Sequence, residues 1–581
     1  MHTGAEKRIR SLLVFIYGAD QGEAIHKEVL HILREFQNNR TQAAAPSPVT
    51  QGDALLIAYA DMLSPAGPEP PGSALARLEG FLRRWNQGGF TYLHILPFHP
   101  YSSDDGFSVI DYRKVDPRLG TWEDIGLLGK QLKLVFDFVL NHGSVQSPWF
   151  QAFLQGEPRY ADWYTARHEG YDAAGVVRPR TTPLLSPFQR KDGSPVWVWT
   201  TFSADQADYN FANPQVLLEF IRIFLEYADR GGRIVRLDAI AYLWKEDGTP
   251  CIHHPKTHGV VKVFRAIIDA LGLDLRILTE TNVPHAENIS YFGTPLPGGQ
   301  GDEAHLVYNF ALPPLVLHAA LSADAAPLRA WAKTLPPPES GQRFLNFLAS
   351  HDGVGLTPAM GLVDGAALAE TIRIAETRGA LVSYKAALQG PVPYELNCSY
   401  LSVIAPPSLG GAEIRARAFL AAQGVLLSLS GLPAVYFHSW IGSEAWTQGP
   451  ALLGYNRAVN REKPPIDQVE GDLAREHSLR ARIYQGFRRF LEFRRAHGVF
   501  NPDIPQRVLE AEGPVFALLR GPDQRGAAAL CVVNLGPNRV AFCPPMEYTP
   551  REGGALSLEP WETQWIHREK DGAKQELSTR S

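Results

Sequence analysis

The chain has little of what would mark a disulfide-stapled, metal-bound, nucleic-acid-binding or membrane-spanning protein. Its 581 residues include only four cysteines, Cys251, Cys398, Cys531 and Cys543, far apart and without CxxC spacing. That usage argues against a zinc site or a disulfide framework and makes a reducing cytoplasm the default location. No long Lys/Arg run occurs, and a formal charge of -5 with a pI near 6.4 offers no basic surface to nucleic acid. No run of about 18 uninterrupted apolar residues exists, so a spanning helix is not expected. A fixed-period repeat is also missing, which disfavours solenoids and propellers. No clustered acidic loop would cage calcium.

The segment KRIRSLLVFIYGA superficially resembles the first two regions of a signal peptide. Its apolar run soon turns polar, and Ile9, Leu12, Leu13 and Ile16, then Ile25, Val29, Ile32, Leu33 and Phe36, recur at helical spacing. Residues 1–50 are therefore read as a helical extension of two amphipathic helices, with secretion the minor alternative. Their apolar stripe can pack on the body of the chain or join a second copy, so both monomer and homodimer stay open.

What is present is a large apolar fraction, 45% of a 64.2 kDa chain, enough for a big core with accessory domains. After TQAAAPSPVTQGD, read as a linker, strand-like runs such as ALLIAYA, YLHILPF and LKLVFDFVLNH alternate with helical patterns such as SALARLEGFLRRW. RIVRLDAIAY, RILTETNV, HLVYNFAL, RFLNFLAS and VLLSLSGLPAVYF continue the alternation. It predicts a (β/α)8 TIM barrel, α/β in class, over 51–142 and 212–502. Residues 143–211, rich in Trp, Pro and Gly, read as a loop-rich insertion. Short runs beyond Pro502 read as a C-terminal antiparallel β domain at 503–567, followed by a polar, frayed tail at 568–581.

Three carboxylates follow strand-like runs in order: Asp238 in VRLDAIAYLWKE, Glu280 in TETNVPH and Asp352 in FLASHDGVG. That order suits retaining α-glycosidic chemistry, which needs a carboxylate nucleophile and a carboxylic acid on opposite sides of the bond. Alone, a strand-end Asp is more often a cap, and Arg236 more often a salt bridge in the sheet. With LHILPFHPYSSDDGFSVIDY and FDFVLNH, however, the pattern over roughly Leu55 to Arg461 resembles the α-amylase superfamily and, within it, the sucrose-phosphorylase branch.

The resemblance implies roles residue by residue. Asp238 would attack the anomeric carbon, Glu280 would serve as acid and then base, and Asp352 would stabilise the transition state. Arg236 would keep Asp238 ionised, and His142 and His351 would be neutral donors to the sugar ring. Asp104 in SSDDGF would grip the far hydroxyls of glucose with Arg457 of GYNRAVNR as its partner, the alternative for Asp104 and Asp105 being a solvated turn, which suits Asp105 better than Asp104. Phe107 and Tyr242 would stack on the sugar, unless they are simply core. Arg178 and Arg180 of VVRPRTTPLL and Tyr394 of PVPYELN would serve the acceptor and phosphate, the alternative for RPR being a surface turn. Glu395 departs from the Gln usual in sucrose phosphorylases, which puts fructose in doubt as leaving group. The helical extension, CIHHPKTH and TETNVPHAENISYFG resemble the glucosylglycerate-phosphorylase type.

The activity implied is phosphorolysis of 2-O-α-glucosylglycerate to α-glucose 1-phosphate and glycerate. Alternatives are a sucrose, sucrose 6'-phosphate or glucosylglycerol phosphorylase, an α-glucosidase or sucrose hydrolase, and an inactive sugar-binding barrel. The partners expected are a small glucoside and inorganic phosphate, with no metal and no cofactor; Cys251, His253, His254 and His258 lie in one loop and are read as hydrogen-bonding residues.

Overall fold

A computed structural model describes residues 3–39, 47–70, 72–296, 299–385, 390–549, 554–570 and 573–579. The linker read at 41–53 therefore lies partly outside the described residues. Eight parallel strands close a barrel: β1 (Leu55–Ala58), β2 (Tyr92–Ile95), β3 (Lys133–Val139), β4 (Gly232–Asp238), β5 (Arg276–Thr279), β6 (Leu306–Tyr308), β7 (Phe344–Asn346) and β8 (Leu432–Tyr436), each beside its neighbours in sequence, with β8 returning to β1. Helices cover the outside, so the strands are apolar on both faces, as a parallel sheet requires. In register, Asp137 of β3 lies beside Arg236 of β4, and Val139 beside Asp238.

The covering helices carry explicit ends. Helix Pro214–Asp229 begins with Pro214 after Asn213, whose side chain accepts the Gln215 N–H, and it buries Val216, Leu217, Phe220, Ile221 and Phe224. Helix Pro255–Leu271 is capped by His254, which accepts from Lys256 N, and stops at Gly272, whose φ of 59° continues a turn that a β-branched residue resists.

Two expectations change. VLLSLS is the end of helix Ala412–Ser428, and the strand begins only at Leu432, beyond Gly431 with φ 126°. A short apolar run buried on all sides gives no period by which helix and strand differ. The tail expected to fray contains strand Lys574–Ser578, which pairs antiparallel with Thr563–Arg568 and sets Leu577 opposite Trp565. As the edge of a five-stranded sheet it tolerates Lys, Gln and Glu, so its hydropathy concealed it.

Most buried apolar residues of the insertion, among them Phe150, Trp163, Tyr164, Val198 and Tyr209, join the main core, while Leu184 and Trp199 form a small cluster with Cys251. Strands Ala166–Arg167, Pro195–Trp199 and Leu185–Gln189 form a three-stranded sheet, and His142–Ser144 pairs with Gln206–Asp208. Fully buried Asp208 fastens it to the barrel, accepting from Asn141 at 2.9 Å and from Thr201 Oγ1 at 2.6 Å and pairing with Lys245 at 2.6 Å.

The extension is α1 (Thr3–Tyr17) and α2 (Ala19–Asn39), folded back on each other at Gly18 with φ 82°. At their crossing Gly22 is required, since a Cβ there would lie 2.6 Å from Val14 Cα. α1 packs on helix Pro255–Leu271, where Gly259 admits Ile16, and Tyr17 donates to the Phe211 carbonyl at 3.0 Å. The stripe of Ile9, Leu13, Ile16, Ile25, Val29, Ile32 and Leu33 is buried within this chain, with Phe36 packed against the same core. Leu13→Ala is expected to cost about 2–5 kcal/mol in urea unfolding of the extension, as for other fully buried leucines. Unchanged unfolding would show that the extension does not rest on the barrel.

Candidate active site

The chemistry-bearing residues gather at the C-terminal ends of the barrel strands, where this architecture leaves loops free to vary. A buried chain of charge leads up to them. His94 Nε2 of β2 lies 2.8 Å from Asp137 Oδ2, and Arg236 Nη1 lies 2.5 Å from Asp137 Oδ1 and 2.7 Å from Asp238 Oδ1. Arg236 and Asp238 are two residues apart on one strand and so face the same way. Arg236 Nη2 is 4.0 Å from Glu280 Oε2, which also accepts the Ala239 N–H at 3.0 Å. Ala239 reaches it by adopting φ 48°, a left-handed turn directly after Asp238.

Burial pushes the carboxyls of both Asp238 and Glu280 above the usual carboxylate range, against the pull of Arg236. The guanidinium is in contact with Asp238 and only at 4.0 Å from Glu280, so it favours the charged form of Asp238 more than that of Glu280. Asp352 differs. Burial would raise it too, but Arg457 at 2.5 Å, with Arg461 at 3.8 Å, brings it below its ordinary value and keeps it anionic. Burial likewise lowers His142 and His351, and both are neutral.

Several placements depart from the sequence reading. Arg457 makes no ion-pair contact with Asp104 among the described residues, although the two are within electrostatic reach: it pairs with Asp352 and, bidentately at 2.9 Å and 2.9 Å, with Glu395. Asp104 instead accepts from Gln206 Nε2 at 3.1 Å. Glu395, buried, also accepts the Gly353 N–H at 3.1 Å, and Gly353 is required because a Cβ there would come within 2.6 Å of Glu395 Cγ. The residue that departs from Gln is thus the carboxylate that orients Arg457, an ion pair Gln cannot supply. Asp105 is no solvated turn residue, since it pairs with Arg461 and accepts from Tyr455 at 2.6 Å. Asp104 and Asp105 hold φ 54° and 47°, a conformation costing about 1–3 kcal/mol per residue that persists only where neighbours enforce it.

Of the two arginines in RPR, only Arg180 faces the site. It donates to the Tyr394 hydroxyl and lies 5.4 Å from the Tyr394 ring centroid and 5.8 Å from that of Phe202. Arg178 donates to the Thr182 carbonyl within its own exposed loop. Phe107 is buried and stacked on His351 at 5.0 Å with the planes 8° apart, so it supports the histidine. Tyr242 packs edge-on against Phe202, which also touches His142. His253 bonds Tyr291 and Glu287, His254 caps its helix, and His258 bonds Glu303, so each spends a ring nitrogen on a protein partner. The sequence reading missed His94, Asp137, Gln206 and Arg461. Arg461 carried a signal in its place in GYNRAVNR, as did His94 in LHILPFHP and Asp137 in FDFVLNH, whereas Gln206 lay in no such string.

A groove of about 970 Å³ opens at the other end of the barrel, but its Lys133 and Arg233 are already paired with Asp53 and Asp274. It adds nothing to this chemistry.

The alpha amylase catalytic domain matches residues 86–353. Glucosylglycerate phosphorylase of Spirochaeta thermophila is 49% identical over 534 residues, covering 91% of this chain and 89% of that one. The protein of the same name from Escherichia coli is 40% identical over 525 residues, covering 89% and 92%. The crystal structure of sucrose 6F-phosphate phosphorylase from Thermoanaerobacter thermosaccharolyticum superposes with a TM-score of 0.73 at 22% identity, over 90% of this chain and 98% of that one, a likeness of fold. The chain therefore belongs to the α-amylase family, in the group formed with the glucosylglycerate phosphorylases.

Proposed function

We propose that this protein is a retaining phosphorylase that converts 2-O-α-glucosylglycerate and phosphate to α-glucose 1-phosphate and glycerate. The observation that carries the reading is Arg180. It is a half-buried guanidinium held against Tyr394 and Phe202, with no carboxylate in ion-pair contact among the described residues. A cation kept beside catalytic carboxylates without an ion-pair partner of its own suits an acceptor that brings its own negative charge. Glycerate and phosphate both do, and relatives 40–49% identical bear the name glucosylglycerate phosphorylase.

In this reading Asp238 attacks the anomeric carbon while protonated Glu280 gives its proton to the departing glycerate oxygen. The covalent β-glucosyl ester then meets phosphate, whose attacking oxygen acts with Glu280 as base, and a second inversion restores the α configuration. Asp352 remains anionic beside the oxocarbenium-like transition state, and the neutral His142 and His351 donate to the sugar. Asp104 binds the far hydroxyls with Gln206 as its support. No helix among the described residues is long and apolar enough to cross a membrane, and the cysteines are unpaired, which suits a reducing cytoplasm.

Incubation with glucosylglycerate is expected to yield α-glucose 1-phosphate only when phosphate is added. Equal release of glucose with and without phosphate would make the protein a hydrolase. Arg180→Ala should lower kcat/KM for phosphate and for glycerate by about 100-fold, as loss of a charge-assisted contact does, while glucosyl fluoride hydrolysis stays within about threefold. Equal loss of all three activities would make Arg180 structural.

The proton on Glu280 gives a further expectation. Glucosylglycerate cleavage requires it, so kcat/KM should fall as pH rises through the raised pKa of Glu280. Fluoride departs without protonation, so with α-glucosyl fluoride that alkaline limb should be missing. The same limb with both donors would remove Glu280 from the role of acid.

A further inference from the structure

The turn after β2 is held by loops that come from elsewhere in the barrel. Gln206, from the insertion, donates to Asp104 at 3.1 Å. From beyond β8, the Tyr455 hydroxyl donates to Asp105 Oδ2 at 2.6 Å, and Arg461 pairs with the same oxygen. Arg461 also donates to the His351 carbonyl at 2.8 Å and lies against the rings of Tyr59 and Tyr455. Its remaining nitrogen, Nη2, is buried without a hydrogen-bond partner and stands 3.8 Å from Asp352 Oδ1. One guanidinium therefore joins the loops after β2, β7 and β8, and it is held between two carboxylates with unequal claims on it.

We propose that Asp105 is a positioning residue for the glucosyl subsite, paired with Arg461 and Tyr455 so that Asp104 faces the sugar and Arg461 stays off Asp352. The inference rests on the glucosyl-transfer reading above and adds to it a residue that touches no substrate. Removing the Asp105 charge has two consequences. The consecutive left-handed residues Asp104 and Asp105 lose the tether that holds them, and Asp104 drifts from Gln206. Arg461 is left with Asp352 as its nearest carboxylate and closes the 3.8 Å gap, so that Asp352 is gripped by two guanidiniums and is less free to receive sugar hydroxyls. Both effects fall on the glucosyl side. Arg180 and Tyr394 share no hydrogen bond with Asp105, Tyr455 or Arg461 among the described residues, so use of phosphate is spared.

Asp105→Asn is the informative substitution, because Asn tolerates the left-handed conformation and removes only the charge. It is to be compared with Tyr455→Phe and the double variant, with α-glucosyl fluoride as donor and inorganic phosphate as acceptor. Asp105→Asn should raise KM for the donor about 10-fold and Tyr455→Phe about threefold, with KM for phosphate within about twofold of wild type. The double variant should be no worse than Asp105→Asn by more than about 1.5-fold, because both act through one contact. An unchanged donor KM, equal rises for donor and phosphate, or effects that multiply as independent would each overturn the proposal. If Asp105→Asn does not fold, Tyr455→Phe decides by the same split between donor and phosphate. A wild-type enzyme that makes no glucose 1-phosphate sinks the phosphorylase reading instead, an outcome distinct from these.

Discussion

Asp137, Asp238, Glu280, Asp352 and Glu395 crowd one buried region at the mouth of the barrel, and Arg236 makes the deepest part of that crowding tolerable. An isolated carboxylate out of water is several kcal/mol too costly to remain ionised. Arg236 meets two of them directly and a third at 4.0 Å. It reaches only so far, however, and of these three the carboxyl it serves least is Glu280. The division of labour proposed for nucleophile and acid thus rests on where one guanidinium sits on β4, two residues before Asp238, and on the Asp137 and His94 chain that fixes it from β3 and β2. Arg457 repeats the arrangement on the other side, with Glu395 in the part of Asp137 and Asp352 in the part of Asp238.

The strain in the backbone is placed accordingly. Of the non-glycine residues with positive φ, Asp104, Asp105, Ala239, Cys251 and His253 lie in loops after β2 or β4, while Gln87, Ala323 and Trp561 lie elsewhere. Three of the five turn a group toward a specific partner: Ala239 its N–H toward Glu280, Asp105 its carboxylate toward Arg461, His253 its ring toward Tyr291 and Glu287. Such residues hold only where several contacts over-determine them. The barrel supplies those contacts from different strands, and this is why the insertion needs the buried Lys245 and Asp208 pair to fix it in place.

The parts of this legible in sequence were those set by local rules. Parallel strands end where an apolar run meets a polar residue, so the strand-end places of Asp238, Glu280 and Asp352 could be read, their roles came only with the family resemblance, and the i, i+2 spacing put Arg236 on the face of Asp238. What failed was partnership at a distance. Nothing near Arg457 in the chain says that it faces Glu395, sixty-two residues earlier, rather than Asp104, and a lone Gln206 or Asp137 looks like any polar residue in or beside a strand. VLLSLS was misread because uniform burial erases period, and Lys574–Ser578 because a sheet edge needs no apolar face. In each case what decided the structure was which surface the segment met, and one residue's neighbours in sequence do not carry that.

The acceptor side illustrates how little charge specificity requires. Water is always present at far higher concentration than phosphate, so a phosphorylase has to make the anion the better nucleophile at the glucosyl ester. On the proposed reading Arg180 does this by position: it is drawn into partial burial by Phe202 and Tyr394, where an ionic contact is worth more than in bulk water, and that burial, with Arg457 nearby adding to it, lowers the Arg180 pKa and makes its cationic state less comfortable without an anion. An incoming carboxylate or phosphate relieves both costs at once, whereas water relieves neither. On the same reading Glu395 contributes from behind: it holds Arg457 bidentately, which leaves Arg180 as the cation proposed to face the acceptor.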